Sequence, residues 1–322
     1  MEVIQYEKKY LERWEDFTAA SSNGTIFHTR KFLSYHSPDK FKDNSLIFED
    51  DKKIIGLLPA IDIKRDGIRT LWSHLGASYG GIVHSENLGI KQSFDLTQGL
   101  IDYALQNKFE RIVITGVPFV YQKRYNQYLD FAMVKNGFTY LKREVTSVIT
   151  LDVDEDSVMK LIKPEARTSV RKAEKLGVVV KKSNDFEEYY DILKSNLAMR
   201  HNVQPAHTLE ELIKLKELFP QKIQLFGAYV KNKMIAGVVN FYCNDKVVLV
   251  FYISHNQEYQ QYRAVNLLFY TIMKDAISRG LSFLDFGLFT VNMEPNWGLG
   301  KFKESFGARG ILRDSYMLDL KL

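Results

Sequence analysis

The stretch LFYTIMKDAISRGLSFLDFG, Leu268–Gly287, decides the fold. It reads as an amphipathic helix, a short break, a buried strand and a glycine. GLIDYALQNKFERIVITG, Gly99–Gly116, reads the same way. A hairpin precedes each: SLIFEDDKKIIGLLPAIDI (Ser45–Ile63), with Gly56 at the centre of its second strand, and QLFGAYVKNKMIAGVVNFY (Gln224–Tyr242), with Gly237 at the matching place. The two sets are offset along the chain by similar distances, which predicts a duplicated α/β unit. Chance recurrence of two common motifs is the competing reading. The expected architecture is α/β with two domains, 1–150 and 151–322, each a mixed, mostly antiparallel sheet flanked by helices. The boundary falls where TSVITLDV gives way to DEDSVMKLI.

A chain of 322 residues is long enough for two domains, and 45% apolar with 26% charged residues excludes disorder. The charged start MEVIQYEKKYLERWEDF lacks the apolar region of a signal peptide, and no apolar run approaches membrane-spanning length. The lone Cys243 reads as a structural thiol. These features predict a cytoplasmic protein. A net charge of +5 suits an anionic small molecule, RNA or an anionic membrane surface, without the basic runs of a nucleic-acid tail. No Ser-nucleophile elbow or Walker phosphate loop exists. His201 and His207 have no nearby Cys or acidic residue to complete a zinc set, so no metal is expected.

Four stretches and one carboxylate carry chemistry. PEARTSVRKAEKLG, Pro164–Gly177, is a helix with proline in its first turn and glycine at its stop. Lys163, Arg167, Arg171 and Lys175 recur every four residues along it. That stripe either faces an anion, with Arg167 and Arg171 as its clamp, or is a solvated surface. NWGLGKFKESFGARG, Asn296–Gly310, sets Lys301 and Lys303 beside a glycine turn. Two such lysines cannot share a helix face, so one points to solvent and the other inward, where it can meet a phosphate or an oxyanion. Both lying on the surface is the alternative. The loop HNQEYQQYRAVN, His255–Asn266, falls where a strand ends and a helix begins, a usual place for ligands in such sheets. In SYGG, Tyr79, Gly80 and Gly81 form either a flexible turn or a place of close backbone approach to a ligand. Asp285, at a strand's end, is either a general base or structural.

These residues resemble the Fem-type branch of the GNAT superfamily, tandem-GNAT transferases that include peptidoglycan-bridge peptidyltransferases and related acyltransferases. RTSVRKAEKLGVVV is similar to the family's basic helix and strand, FLDFG with NWGLGKFKESFGA to its C-terminal motif, and LPAIDI with YGG to its first domain. The resemblance covers nearly the whole chain. It implies two GNAT-like domains and transfer of an acyl or aminoacyl group to an amine of a phosphate-bearing cell-envelope precursor. Aminoacyl-tRNA or acyl-CoA would be the co-substrate, with no tightly bound cofactor and peripheral membrane contact allowed. It implies phosphate or transfer work for Lys303 and anion binding for Arg167 and Arg171. An acyl-CoA enzyme acting on a sugar amine, or a non-catalytic binding module, are the alternatives. One departure bears on the donor. The GNAT pyrophosphate loop has two glycines, and here Gln261-Tyr-Arg263-Ala-Val-Asn266 has neither, so CoA either uses other contacts there or is not the donor.

Overall fold

The computed structural model describes residues 1–201 and 204–320. The chain forms two compact units, Met1–Glu144 with the segment that starts at Leu312, and Val145–Ile311. In unit 1 the elements are β1 (Glu2–Gln5), α1 (Leu11–Ala20), α2 (Arg30–Leu33), β2 (Leu46–Asp50), β3 (Lys53–Leu58), β4 (Ala60–Arg65), β5 (Ile68–Ser73), β6 (Val83–His84), α3 (Ile90–Gln106), β7 (Arg111–Thr115), α4 (Tyr128–Lys135) and the first part of β8 (Thr139–Thr150). Unit 2 continues with α5 (Val158–Leu161), α6 (Pro164–Lys175), β9 (Val179–Ser183), α7 (Phe186–His201), α8 (Leu209–Leu218), β10 (Ile223–Val230), β11 (Lys233–Tyr242), β12 (Val247–His255), α9 (Ala264–Ser278), β13 (Phe283–Leu288), β14 (Thr290–Val291), β15 (Glu294–Pro295), α10 (Trp297–Ser305) and the first part of β16 (Arg309–Asp319).

The units carry the duplicated parts. Each hairpin turns on two residues with positive φ, Asp51-Lys52 in one and Lys231-Asn232 in the other, the conformation that matches strand twist across a two-residue loop. Each helix that follows, α3 or α9, returns the chain to a parallel strand pair. In unit 1, β5 pairs with β7 from Thr70↔Arg111 to Trp72↔Val113. In unit 2, β12 pairs with β13 from Val247↔Phe283 to Leu249↔Asp285. The neighbouring ladders are antiparallel, with order β8-β13-β12-β11-β10-β9 in unit 2. The core of unit 2 sets Leu268, Phe269, Ile272 and Met273 of α9 and Val170 of α6 against Val238, Val248 and Leu284 of the sheet.

Two details differ from the sequence reading. The strands of unit 1 fall into two sets, β1-β2-β3-β6 and β4-β5-β7-β16, because Pro59 separates β3 from β4 and cannot donate to a ladder. The boundary lies inside β8 rather than at 150, and residues from Leu312 onward belong with unit 1 instead of the second domain. The physical reason is the pairing of β16 with β7, from Ser315↔Thr115 to Asp319↔Arg111.

Candidate active site

The parallel pair of unit 2 separates soon after it forms. Beyond Leu249↔Asp285 the two strands continue without pairing, β12 to His255 and β13 to Leu288. A β-bulge drives the divergence. Val239 faces Tyr252 while Asn240 faces Val250, so Phe251 is an extra residue that bends β12. The opened space is a cavity of about 770 Å³. Its walls are the bulged Phe251 and Tyr252, the strand ends at His255 and Gly287, the α9 start from Arg263 to Asn266, and Lys303 with Phe302 of α10.

Two features make this cavity electropositive. Arg263 holds a left-handed conformation (φ 56°, ψ 29°) directly before α9 and gives no side-chain cap, so the positive end of a 15-residue helix, with Ala264, Val265 and Asn266 in its first turn, lies at the cavity wall. The second feature is Lys303, which is 2% exposed. Its Nζ donates to Gly287 O at 2.7 Å and Leu288 O at 2.8 Å, fastening α10 to the end of β13. Burial lowers its pKa to about 8, while the nearby Asp285 acts to raise it. An ammonium has three donors, so one remains for a ligand oxygen. No carboxylate is among the described residues lining the cavity.

The wall also holds a tyrosine tied to a histidine. Tyr252 Oη lies 2.9 Å from His207 Nδ1 and accepts from His207 N at 3.2 Å, and burial pushes its hydroxyl up to about 12. The side chain of His201, the partner considered in the sequence reading, lies outside the described residues.

The predicted residues divide sharply. Lys303 and Arg263 line the cavity; Lys301 is exposed on α10, Gln261 is exposed, and neither lines it. Asp285 is buried away from the wall, its Oδ1 accepting from Gly287 N at 2.8 Å and from Thr146 Oγ1. Arg167 and Arg171 are not in the wall either. The inner line of α6, Ala166, Val170 and Ala173, is buried, which leaves the basic stripe on the outside. Arg167 Nε turns back to Ile162 O at 2.5 Å, and Arg171 is exposed.

Tyr79, Gly80 and Gly81 belong to the interior of unit 1, and the close approach expected there is to protein rather than ligand. A Cβ on Gly80 would lie 2.8 Å from His74 N, and one on Gly81 (φ +76°) would lie 3.2 Å from Gly116 Cα. Tyr79 packs edge-on against Phe27 and Tyr121. Sequence reasoning missed Asn196 on α7, the bulge at Phe251, and His255 and Asn296, which line the cavity. The last two sit inside stretches already singled out; nothing in the local sequence marks the bulge.

Comparison with known proteins agrees with this architecture. Residues 163–295 match the acetyltransferase (GNAT) domain family, a segment that includes β12, α9 and β13. No curated protein matches the chain in sequence. Among solved structures, FemX superposes with a TM-score of 0.74 at 13% identity, covering 99% of this chain and 98% of FemX. The C-terminal domain of a putative lysylphosphatidylglycerol synthetase from Agrobacterium fabrum gives 0.62 at 11% identity, covering 96% and 91%. A tandem GNAT protein from the clavulanic acid biosynthesis pathway gives 0.57 at 10% identity, covering 99% and 98%. The fold is that of the Fem-type tandem-GNAT proteins, and the cavity wall up to Leu288 lies in the segment that matches the acetyltransferase domain, while Asn296, Phe302 and Lys303 follow it.

Proposed function

We propose that this protein is a cytoplasmic acyltransferase that moves an aminoacyl or acyl group from an anionic donor to an amine of a phosphate-bearing cell-envelope precursor. The observation that carries the reading is the cavity's charge: a helix N-terminus, Arg263 and Lys303, with no carboxylate among the described lining residues, favour a phosphate-bearing donor. The likeness to FemX and to a lysylphosphatidylglycerol synthetase domain supports aminoacyl-tRNA as that donor. Acyl-CoA is the second reading, supported by the GNAT match across α9.

In this reading the neutral amine attacks the donor's ester or thioester carbonyl, forming the C–N bond. The free donor of Lys303 meets the oxyanion, and collapse expels the ribose hydroxyl or thiol, which leaves with a proton. Asp285, the sequence-based candidate for base, is held inside the sheet by Thr146 and Gly287 N. His255, which lines the cavity, takes the amine's proton here.

Thermal stabilisation by acetyl-CoA and by an aminoacyl-tRNA end analogue separates the donors. Response to the tRNA-end analogue alone supports aminoacyl transfer; response to CoA alone supports the second reading. Lys303→Met should lower turnover about 100-fold, the usual cost of one oxyanion donor. Unchanged turnover in that variant would remove Lys303 from the mechanism. Turnover in the intact protein should also fall as pH rises through about 8, where Lys303 loses its proton.

A further inference from the structure

Helix α4 of unit 1 is apolar on both sides. Leu129, Ala132 and Met133 are buried, yet Tyr128, Phe131 and Val134 on the outside are 49%, 59% and 46% exposed. A helix that is hydrophobic all round is normally enclosed. The apolar surface continues beyond it. Tyr125 is 60% exposed, with its ring 5.3 Å from that of the exposed Phe119. Phe94 of α3 meets Phe131 with centroids 6.0 Å apart. Between Phe119 and Lys135 the exposed charged side chains are Lys123, Arg124 and Lys135. The single acid of that segment, Asp130, is half-buried, accepts from Tyr316 Oη at 2.9 Å, and has its pKa raised by burial.

We propose that this face of unit 1 docks on an anionic lipid bilayer. Aromatic side chains beside Lys and Arg are the composition of the membrane–water interface, where rings enter the headgroup layer and cations meet anionic lipid. Three exposed cations against one exposed acid, Glu86, which pairs with Arg124 at 3.5 Å, leave the face net positive and give the charge complementarity. RNA would use the cations and rings, but Val134 offers a polyanion nothing. A two-fold contact with a second copy would gather Lys123, Arg124 and Lys135 of both copies at one interface, which like-charge repulsion disfavours. The inference goes beyond the proposed chemistry and does not depend on it.

Flotation of the purified full chain with vesicles of phosphatidylcholine alone, and of equal parts phosphatidylcholine and phosphatidylglycerol, tests it. Binding is expected on the phosphatidylglycerol vesicles and should weaken with salt. The double variant Tyr128→Ser/Phe131→Ser should bind about ten-fold more weakly or worse, and so should Arg124→Glu/Lys135→Glu. All four side chains are exposed, so melting temperatures should hold and report folding directly. Failure of the parent chain to float, or flotation of both variants equal to the parent's, overturns the proposal. So does a serine variant that keeps vesicle binding while losing dimerisation or affinity for transfer RNA.

Discussion

The two units place the same parts around the same strand separation and fill it differently. In unit 1, β5 and β7 run parallel for three paired positions, as β12 and β13 do in unit 2. Past that point in unit 1 the chain fills its own gap. Gly81 packs against Gly116 and Thr115 O, Gly80 against Ser73 and His74, and Tyr79 closes in at 2% exposure. In unit 2 the equivalent region is the cavity, with Gly287 and the bulged Phe251 in its wall. A repeated frame therefore does not imply a repeated site: what occupies the space where the parallel pair parts determines whether a ligand can enter.

The sharpest way to break this comparison is to add one methyl group to each unit. Gly81→Ala should cost about 3 kcal/mol, from left-handed strain plus overpacking against Gly116. Gly287→Ala adopts the same sign of φ (+74°), but its Cβ would meet only Val250 O at an ordinary 3.7 Å. Its cost should be about 1 to 2 kcal/mol, from backbone strain alone. Urea unfolding of the two variants measures both. Equal losses would mean that unit 1 is no more tightly filled than unit 2.

Protonation sharpens the contrast with a smaller effect. Burial lowers His28 and His74 of unit 1 to about 4. His28 is fully enclosed, with Nε2 2.5 Å from Gly80 O, so neutral imidazole is part of the YGG packing. Between about 6.5 and 4 the unfolded chain binds these protons and the folded one does not, so stability falls as pH drops through that window. The slope approaches about 1.4 kcal/mol per pH unit for each imidazole. Lys303 has the opposite signature. Its folded pKa of about 8 lies below the ordinary 10.5, so the unfolded chain holds the extra proton between those values and stability from this group rises with pH there. Amide exchange, corrected for its intrinsic pH dependence, should show unit 1 loosening in acid and unit 2 tightening in mild alkali. Acid loosening that survives His28→Gln with His74→Gln would reject the assignment.

Much of this frame was legible in the sequence because it rests on local rules: hairpin turns, helix periodicity and strand-length apolar runs, each written twice. One inward lysine was legible as a possibility, since the spacing of Lys301 and Lys303 requires different helix faces, but only the family resemblance singled out Lys303. What escaped depends on long-range pairing. No local pattern announces that β16 returns to β7, or that one extra residue at Phe251 opens the cavity. The YGG and Arg167/Arg171 readings identified unusual residues without their neighbours. A glycine needed for close approach looks the same whether ligand or protein approaches, and a basic stripe looks the same on either side of a helix.

That ambiguity yields the smallest expected effect. Arg171 projects from the exposed side of α6, and Arg263 stands in the cavity wall where α9 begins. An exposed side chain outside any packed network contributes within about 0.5 kcal/mol, so Arg171→Ala should leave both stability and donor affinity near those of the parent. Arg263→Ala should weaken an anionic donor about ten-fold, the equivalent of about 1.4 kcal/mol. Calorimetric titration of whichever donor stabilises the protein compares the two directly. A loss confined to Arg171→Ala would move the anion site from the cavity to the outer face of α6. The positive cavity would then have to serve the acceptor.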